Sequence, residues 1–184
     1  MSDIWPKIKS RRTTKISSWF DVIERDVEFA SGEAPQRYHA VGQNDYVAIV
    51  ALTPAKQIPI VRQYRPAIES FTWELPAGLV DTGEDPAESC RRELLEETGY
   101  TTRAIHALGT AFPCTGRLSN RVHSFFIETG DRAVGFQPEP GLTVRLVSPA
   151  ELSALIASGE FSSQVHLGAL LLATQRSFLK LEPR

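Results

Sequence analysis

Apolar positions along the chain first follow the short runs and alternation of strands, then the three-to-four spacing of a helix. They then return to strands and end in helical stretches. Residues 1–16 are polar and basic, with Lys7, Lys9, Arg11, Arg12 and Lys15, and read as a loose lead-in or an edge strand. Trp19 to Phe29 is rich in β-branched and aromatic residues and stops at the turn signal Ser31-Gly32; Arg37 to Val41 reads as the returning strand. Tyr46 to Leu52 and Ile58 to Tyr64 are apolar runs separated by Thr53-Pro54-Ala55-Lys56-Gln57, which predicts a hairpin with a long loop. Phe71 to Leu75 is a further short strand. At Asp85-Pro86-Ala87-Glu88 the period changes: Asp85 can cap a helix, Pro86 suits its first position and Glu88 sits where a capping-box acid belongs. That helix is predicted to run to Thr98 and to stop at Gly99, which can adopt the left-handed conformation of a helix end. Strands are predicted at Ala104 to Leu108, Val122 to Glu128 and Thr143 to Val147. Ser148-Pro149-Ala150-Glu151 caps a short helix to about Ala157, and a last helix covers Ser163 to Gln175. The sum is a mixed α/β chain with strands before, between and after a central helix.

Composition narrows the function classes. A chain of 184 residues can bury one real core, and its net charge of −2 gives no bulk pull toward nucleic acid or an anionic membrane. Met-Ser-Asp-Ile-Trp-Pro-Lys holds no apolar run of the signal-peptide type, and the longest apolar stretch, Leu167 to Ala173, is far too short to span a bilayer. Cys90 and Cys114 are the only cysteines and stand in no metal-ligand spacing. A cytoplasmic protein is expected, without nucleic-acid or membrane partners.

The chemistry lies in Gly78 to Tyr100, GLVDTGEDPAESCRRELLEETGY. On a helical wheel Glu93, Glu96 and Glu97 crowd one face, while Ala87, Cys90 and Leu94 form an adjacent apolar stripe that can pack on a sheet. Like charges at this spacing oppose the helix by about 0.2–0.5 kcal/mol per pair, a repulsion that a divalent cation removes. Hard carboxylate ligands suit magnesium, completed by waters and substrate phosphates. Arg92, four residues before Glu96, can orient that carboxylate. The competing reading of such a run is a solvated acidic face.

The whole string matches the Nudix box position by position: Gly78, Glu84, Arg92-Glu93, Glu96-Glu97 and Gly99 in their spacing, with Tyr100 in a final slot where aliphatic residues are the norm. The chain therefore resembles the Nudix hydrolases. The resemblance implies a mixed sheet sandwiched between helices, with an N-terminal antiparallel strand extension over residues 1–44 and the hydrolase domain over 45–184. It implies cleavage of a pyrophosphate linkage with Mg²⁺, or Mn²⁺, held by Glu93 and Glu97, with Glu96 as accessory ligand and the carbonyl of Ala77 in the metal shell.

Arg62-Gln63-Tyr64-Arg65-Pro66, Trp73-Glu74-Leu75-Pro76-Ala77-Gly78 and Gly116-Arg117-Leu118-Ser119-Asn120-Arg121-Val122-His123 resemble the ADP-ribose pyrophosphatase branch, as does Pro113 beyond the box. That branch implies a homodimer with exchanged N-terminal strands and adenine stacking on aromatics of the N-terminal sheet. Trp19 and Tyr38 fall in that region, although ordinary packing explains them equally well. Arg65 matches a phosphate-binding arginine, the alternative being a structural salt bridge to Glu74. Ser119 falls in the downstream substrate-binding segment. Glu139, between Pro138 and Pro140, is the only acid near a loop where relatives carry a catalytic glutamate, and is a candidate general base. His39, His106, His123 and His166 form no recognisable pair and read as structural or surface residues. The expected reaction is hydrolysis of ADP-ribose or a related ADP-sugar to AMP and a sugar phosphate. The alternatives are a hydrolase of another nucleoside diphosphate sugar (UDP-glucose, GDP-mannose) and a nucleotide-sensing domain without catalysis; the intact acids speak against the last.

Overall fold

A computed structural model describes residues 5–181. The chain divides into two compact units, residues 1–44 with 112–121, and residues 45–111 with 122–184.

The first unit is an antiparallel meander of β1 (Lys7–Lys15), β2 (Asp21–Glu28) and β3 (Gln36–Gly42), in that order. The basic lead-in is thus an edge strand. It is tied to β2 by charge: Lys9 meets Glu28 at 2.9 Å, Arg12 meets Glu24 at 3.3 Å, and Ser10 donates to Asp26 at 2.6 Å. Residues 112–121 are strapped to β3, the Val41 N–H donating to Arg117 O at 2.7 Å and the Ser119 N–H to Val41 O at 3.0 Å. Among the described residues, no hydrophobic side chain of this unit is fully buried.

The second unit is built from β4 (Tyr46–Leu52), β5 (Ile58–Arg65), β6 (Ser70–Glu74), β7 (Ala77–Leu79), α1 (Pro86–Thr98), β8 (Tyr100–Ala111), β9 (Val122–Arg132), β10 (Thr143–Val147), α2 (Pro149–Ser158) and α3 (Gln164–Gln175). One sheet has the order β7-β4-β9-β8, with β4 and β9 parallel; the other has the order β10-β5-β6. The predicted hairpin of Tyr46–Leu52 with Ile58–Tyr64 is corrected here. β4 has β7 and β9 on its two edges, and β5 pairs with β6 and β10. The physical reason lies in the side chains. Tyr46–Leu52 and the first half of the second run, residues 58–61, are apolar without alternation, so each needs cover on two faces. Val47, Ile49 and Ala51 pack with Cys90 and Leu94 of α1, while Ala48 and Val50 pack with Ile58, Ile60, Leu152 and Leu170. The β4 sheet is thereby sandwiched between α1 and a layer formed by the other sheet with α2 and α3. Each Leu or Ile fully buried this way contributes about 1.5–3 kcal/mol.

α1 starts and stops where its caps predict. The Asp85 carboxylate accepts the Ala87 N–H at 2.8 Å, Pro86 opens the helix, and Gly99 closes it at φ 76° with its N–H on Leu95 O. A side chain at Gly99 would collide with the Phe136 ring. Glu88, expected to complete a capping box, instead accepts from Arg91 at 3.1 Å on the exposed face. The predicted cap at Ser148 is present on α2 and takes the form of a capping box with Glu151, with bonds of 3.2 and 2.7 Å. β8 and β9 run longer than predicted, because their register shifts at several points break the alternation that sequence reading relies on. Among the described residues, no helix is long and apolar enough to cross a membrane.

Candidate active site

β7 brings the Ala77-Gly78 peptide alongside β4, Ala77 opposite Ala48 and Gly78 opposite Val47, and α1 returns its acidic face to that peptide. Glu97 is partly buried there, its Oε2 accepting the Ala77 N–H at 3.0 Å. Burial foremost, with the Glu93 charge beside it, pushes its carboxyl up to about 8, against the lowering pull of the Ala77 N–H and Arg65. Glu93 lies one turn earlier with its carboxyl directly over Gly78, where any side chain would overlap it. Glycine is required at 78 by this close approach. Burial raises the Glu93 carboxyl as well, opposed by its bond to Arg92. Glu96 is half exposed.

Arg92 holds the cluster in order. Its Nη1 donates to Glu93 at 2.7 Å and to Glu96 at 3.2 Å; Nη2 reaches Leu79 O at 3.2 Å; Nε and Nη2 each reach a Glu84 oxygen at 3.1 Å. The Arg92 guanidinium, then the Ser89 hydroxyl and the Asp81 N–H, hold the Glu84 carboxyl down at about 2. Arg92 thus orients Glu96 as expected, and Glu93 and Glu84 besides. Among the described residues, no three His, Cys, Asp or Glu side chains stand together in a metal-holding arrangement. Glu93 and Glu96 are engaged by Arg92, and Glu97 by Ala77.

Beside the Ala77-Gly78 peptide lies a cavity of about 310 Å³, walled by Tyr46, Arg65, Glu74, Ala77, Ser163 and His166 among others. Arg65 forks onto Glu74, Nε to Oε1 at 2.9 Å and Nη2 to Oε2 at 2.5 Å, with the Thr72 hydroxyl on the same carboxylate at 2.5 Å. The salt bridge kept as the alternative role for Arg65 is present, and the guanidinium still forms part of the cavity wall. Burial works to raise the Glu74 carboxyl, but the Arg65 fork and Thr72 outweigh it and hold it below the usual carboxylate range. His166 is buried, its Nδ1 accepting the Leu75 N–H at 3.3 Å. Burial foremost pushes its pKa down to about 4, so the ring is neutral at physiological pH.

Glu93, Glu96, Glu97, Ala77 and Arg65 therefore belong to one region of the second unit. Glu139 sits in an exposed turn, its carbonyl accepting the Leu142 N–H, and is not part of the cavity wall. Trp19, Tyr38 and Ser119 lie in the first unit. Trp19 and Ser119 line one cavity of about 340 Å³. Tyr38, in edge contact with Phe29 at 5.8 Å, lines another of about 320 Å³ that Ser119 also borders. Sequence reading missed Tyr46, Ser163 and His166 in the cavity wall. A lone histidine in the otherwise apolar stretch of α3 was the one available signal. Among the other histidines, His123 bridges Thr110 at 3.1 Å and Asp45 at 2.9 Å.

Comparison with known proteins agrees with this geometry. The chain is 35% identical over 108 residues to the ADP-ribose pyrophosphatase of Bacillus subtilis, a match over 59% of this chain and 58% of that protein. It is 33% identical over 130 residues to the ADP-ribose pyrophosphatase of Mycobacterium tuberculosis, covering 68% and 62% of the two chains. These matches thus span about three fifths of the relatives' own length. The ADP compounds hydrolase NudE of Escherichia coli matches at 25% identity over 97% of this chain and 96% of its own. A crystal structure of an ADP compounds hydrolase superposes with a TM-score of 0.80 at 23% identity, over 96% of each chain, and so shares the fold. The NUDIX domain family model matches residues 42–165, spanning β4 to α2 with the whole acidic helix, and the chain belongs to the Nudix family.

Proposed function

We propose that the protein hydrolyses the pyrophosphate linkage of ADP-ribose or a related ADP-sugar to AMP and a sugar phosphate, with Mg²⁺ bound at the acidic face of α1. The observation that carries this reading is the pair of carboxylates, Glu93 and Glu97, partly buried against the Ala77-Gly78 peptide at the edge of the Arg65 cavity. Buried carboxylates whose charge is disfavoured fit a hard divalent cation, and the absence of a closed protein cage suits magnesium, which keeps open positions for waters and substrate phosphates. Mn²⁺ offers the same preference for oxygen ligands.

Glu93 and Glu97 are the principal ligands in this reading, with Glu96 and the Ala77 carbonyl beside them. The ion, when bound, supplies polarisation of the phosphoryl oxygens and a more acidic water. Arg92, whose Nη1 bridges Glu93 and Glu96, keeps both aimed. Arg65, fixed by Glu74, presents its remaining donor edge to a phosphate. A carboxylate must take the proton of the attacking water; Glu139 is the candidate from outside the box and the box glutamates are the candidates within it. Trp19 and Tyr38 are proposed platforms for the base and Ser119 a polar contact to it, in a homodimer whose residues 1–44 form the interface. A relative in Streptomyces rubellomurinus, 32% identical over 127 residues, is a CMP-5'-(N-acetyl-N-hydroxy-3-aminopropyl)phosphonate hydrolase, which keeps a pyrimidine nucleotide substrate as the second reading.

The test is a turnover comparison of ADP-ribose, UDP-glucose and GDP-mannose with magnesium, with manganese and with excess chelator, products identified. ADP-ribose is expected to give the highest kcat/KM, yielding AMP and ribose 5-phosphate. A uridine or guanosine sugar as best substrate overturns the branch, and full activity in chelator overturns the metal.

A further inference from the structure

We infer that the cavity beside Ala77 is a sugar pocket, in which the Tyr46 hydroxyl, the Ser163 hydroxyl and the His166 Nε2–H hydrogen-bond the hydroxyls of the substrate's terminal sugar phosphate. The inference rests on the reading of the site as an ADP-sugar pyrophosphohydrolase and adds which residues grip the non-nucleotide half.

Three polar groups on this cavity wall have no hydrogen-bond partner among the described residues. Ser163 stands at the N-cap of α3, where a serine hydroxyl ordinarily accepts a backbone N–H of the first turn, yet it makes no capping bond. The Tyr46 hydroxyl, half-buried, is bonded to no protein group among the described residues. The His166 ring is only 3% exposed, and its Nδ1 is committed as acceptor to Leu75 N–H, so in this tautomer Nε2 carries the hydrogen and is the nitrogen left over. All three side chains wall the same cavity. Together they leave donors and acceptors on one cavity wall open to an occupant with matching polar groups.

The chemistry of the wall chooses the occupant. Tyrosine and serine hydroxyls both donate and accept, the imidazole donates, and the Glu74 carboxylate accepts. This mixed set complements a polyol, whose every hydroxyl does both. A phosphate, which only accepts, would leave the acceptors of this wall unmet and would lie against Glu74. His166 is neutral and so is no charged clamp. Burial, with the Glu74 charge, pushes the Tyr46 hydroxyl up to about 12, so it keeps its proton to donate. At about 310 Å³ the cavity is at the low end of the roughly 300–1,000 Å³ of ligand pockets. That suits one moiety of the substrate rather than a whole nucleoside diphosphate sugar. Its border with Ala77 and Arg65 puts a bound sugar next to the peptide on which Glu97 rests.

The experiment is calorimetric binding of ribose 5-phosphate, and in a parallel arm glucose 1-phosphate, to the full chain and to Tyr46→Phe, Ser163→Ala and His166→Gln, with AMP as the reference ligand. Glutamine keeps an acceptor for Leu75 N–H; if that variant fails to fold, the two hydroxyl variants carry the test. Each variant is expected to weaken the sugar phosphate by about fivefold, the loss of one neutral hydrogen bond, and to leave AMP unchanged. Whichever sugar phosphate binds tighter identifies the ring. Absence of saturable binding to the wild type at millimolar concentration, or equal affinity in all folded variants, overturns the pocket. If sugar phosphate binds as expected but no ADP-sugar is turned over, the hydrolase reading falls and the pocket stands. Turnover of ADP-ribose with variants unaffected gives the reverse.

Discussion

Glu97 meets opposed demands at the scale of a single residue. Its burial disfavours charge, and its proposed task requires charge. Glu97→Gln keeps an acceptor for the Ala77 N–H and removes the disfavoured carboxylate. Turnover in magnesium is expected to fall by roughly two orders of magnitude or more. The melting temperature in excess chelator should stay at or above that of the wild type. Unchanged turnover would sink the metal assignment, and a large loss of chelated stability would make Glu97 structural. His166 offers a test with a pH axis. Its ordinary value of 6.5 falls to about 4 in the folded protein, by burial foremost, while Glu74 pulls it up and Arg65 down. As pH drops from 6.5 toward 4 the unfolded chain gains a proton that the folded one does not, so stability is lost across that window. His166→Gln should flatten this part of the stability profile by at most roughly 3 kcal/mol, read by urea titrations at successive pH values. The acids of the box were legible in sequence because they sit on one short helix whose spacing is local. The cavity was not, since Tyr46 on β4, Glu74 on β6, and Ser163 with His166 at the start of α3 lie far apart in sequence and meet only in the fold.

At the scale of elements, α1 is constrained at both ends. Asp85 supplies one cap bond, whereas Gly99 carries both a positive φ and the close approach of Phe136. Asp85→Ala is therefore expected to cost about 1 kcal/mol, and Gly99→Ala more, about 2–3 kcal/mol, because it adds a displaced ring to backbone strain. Denaturant midpoints that reverse this order would show that the Phe136 ring yields freely. The same helix shows what sequence reading does well. Caps, breakers and an apolar stripe lie within one stretch, and start, stop and buried face came out in place. Strand partnership is the opposite case. Nothing within Tyr46–Leu52 or Ile58–Tyr64 says which edges meet, and the turn between them suggested a hairpin. The pairing was decided by Val122–Arg132, far along the chain, which takes the edge of β4 that β5 would have needed.

For the whole molecule, the contrast between the two units is decisive. The second has layered cores on both faces of its β4 sheet; the first, among the described residues, buries no hydrophobic side chain fully. Ile16 and Trp19 stay 54% and 70% exposed, with Phe29 and Tyr38 also open. A small sheet of this kind needs cover, and a second copy of the chain is the proposed source. Light scattering at micromolar protein is expected to give the dimer mass, and Trp19→Ala combined with Phe29→Ala to shift it toward the monomer. A monomeric wild type would contradict this. The NUDIX match starts at residue 42 and leaves the three-stranded sheet outside it, so legibility of the box did not extend to this part.

The proposed homodimer would tie the order of this coreless sheet to how many copies are in solution. Trp19, Tyr38 and Ser119, the proposed contacts to the base, all belong to it, while Glu93 and Glu97 stand on a unit with ample packing. Dilution should then act on the two halves of the reaction unequally. Initial-rate kinetics taken from micromolar down to picomolar enzyme are expected to show KM for the nucleotide rising first, with kcat holding, a loss of grip before a loss of chemistry.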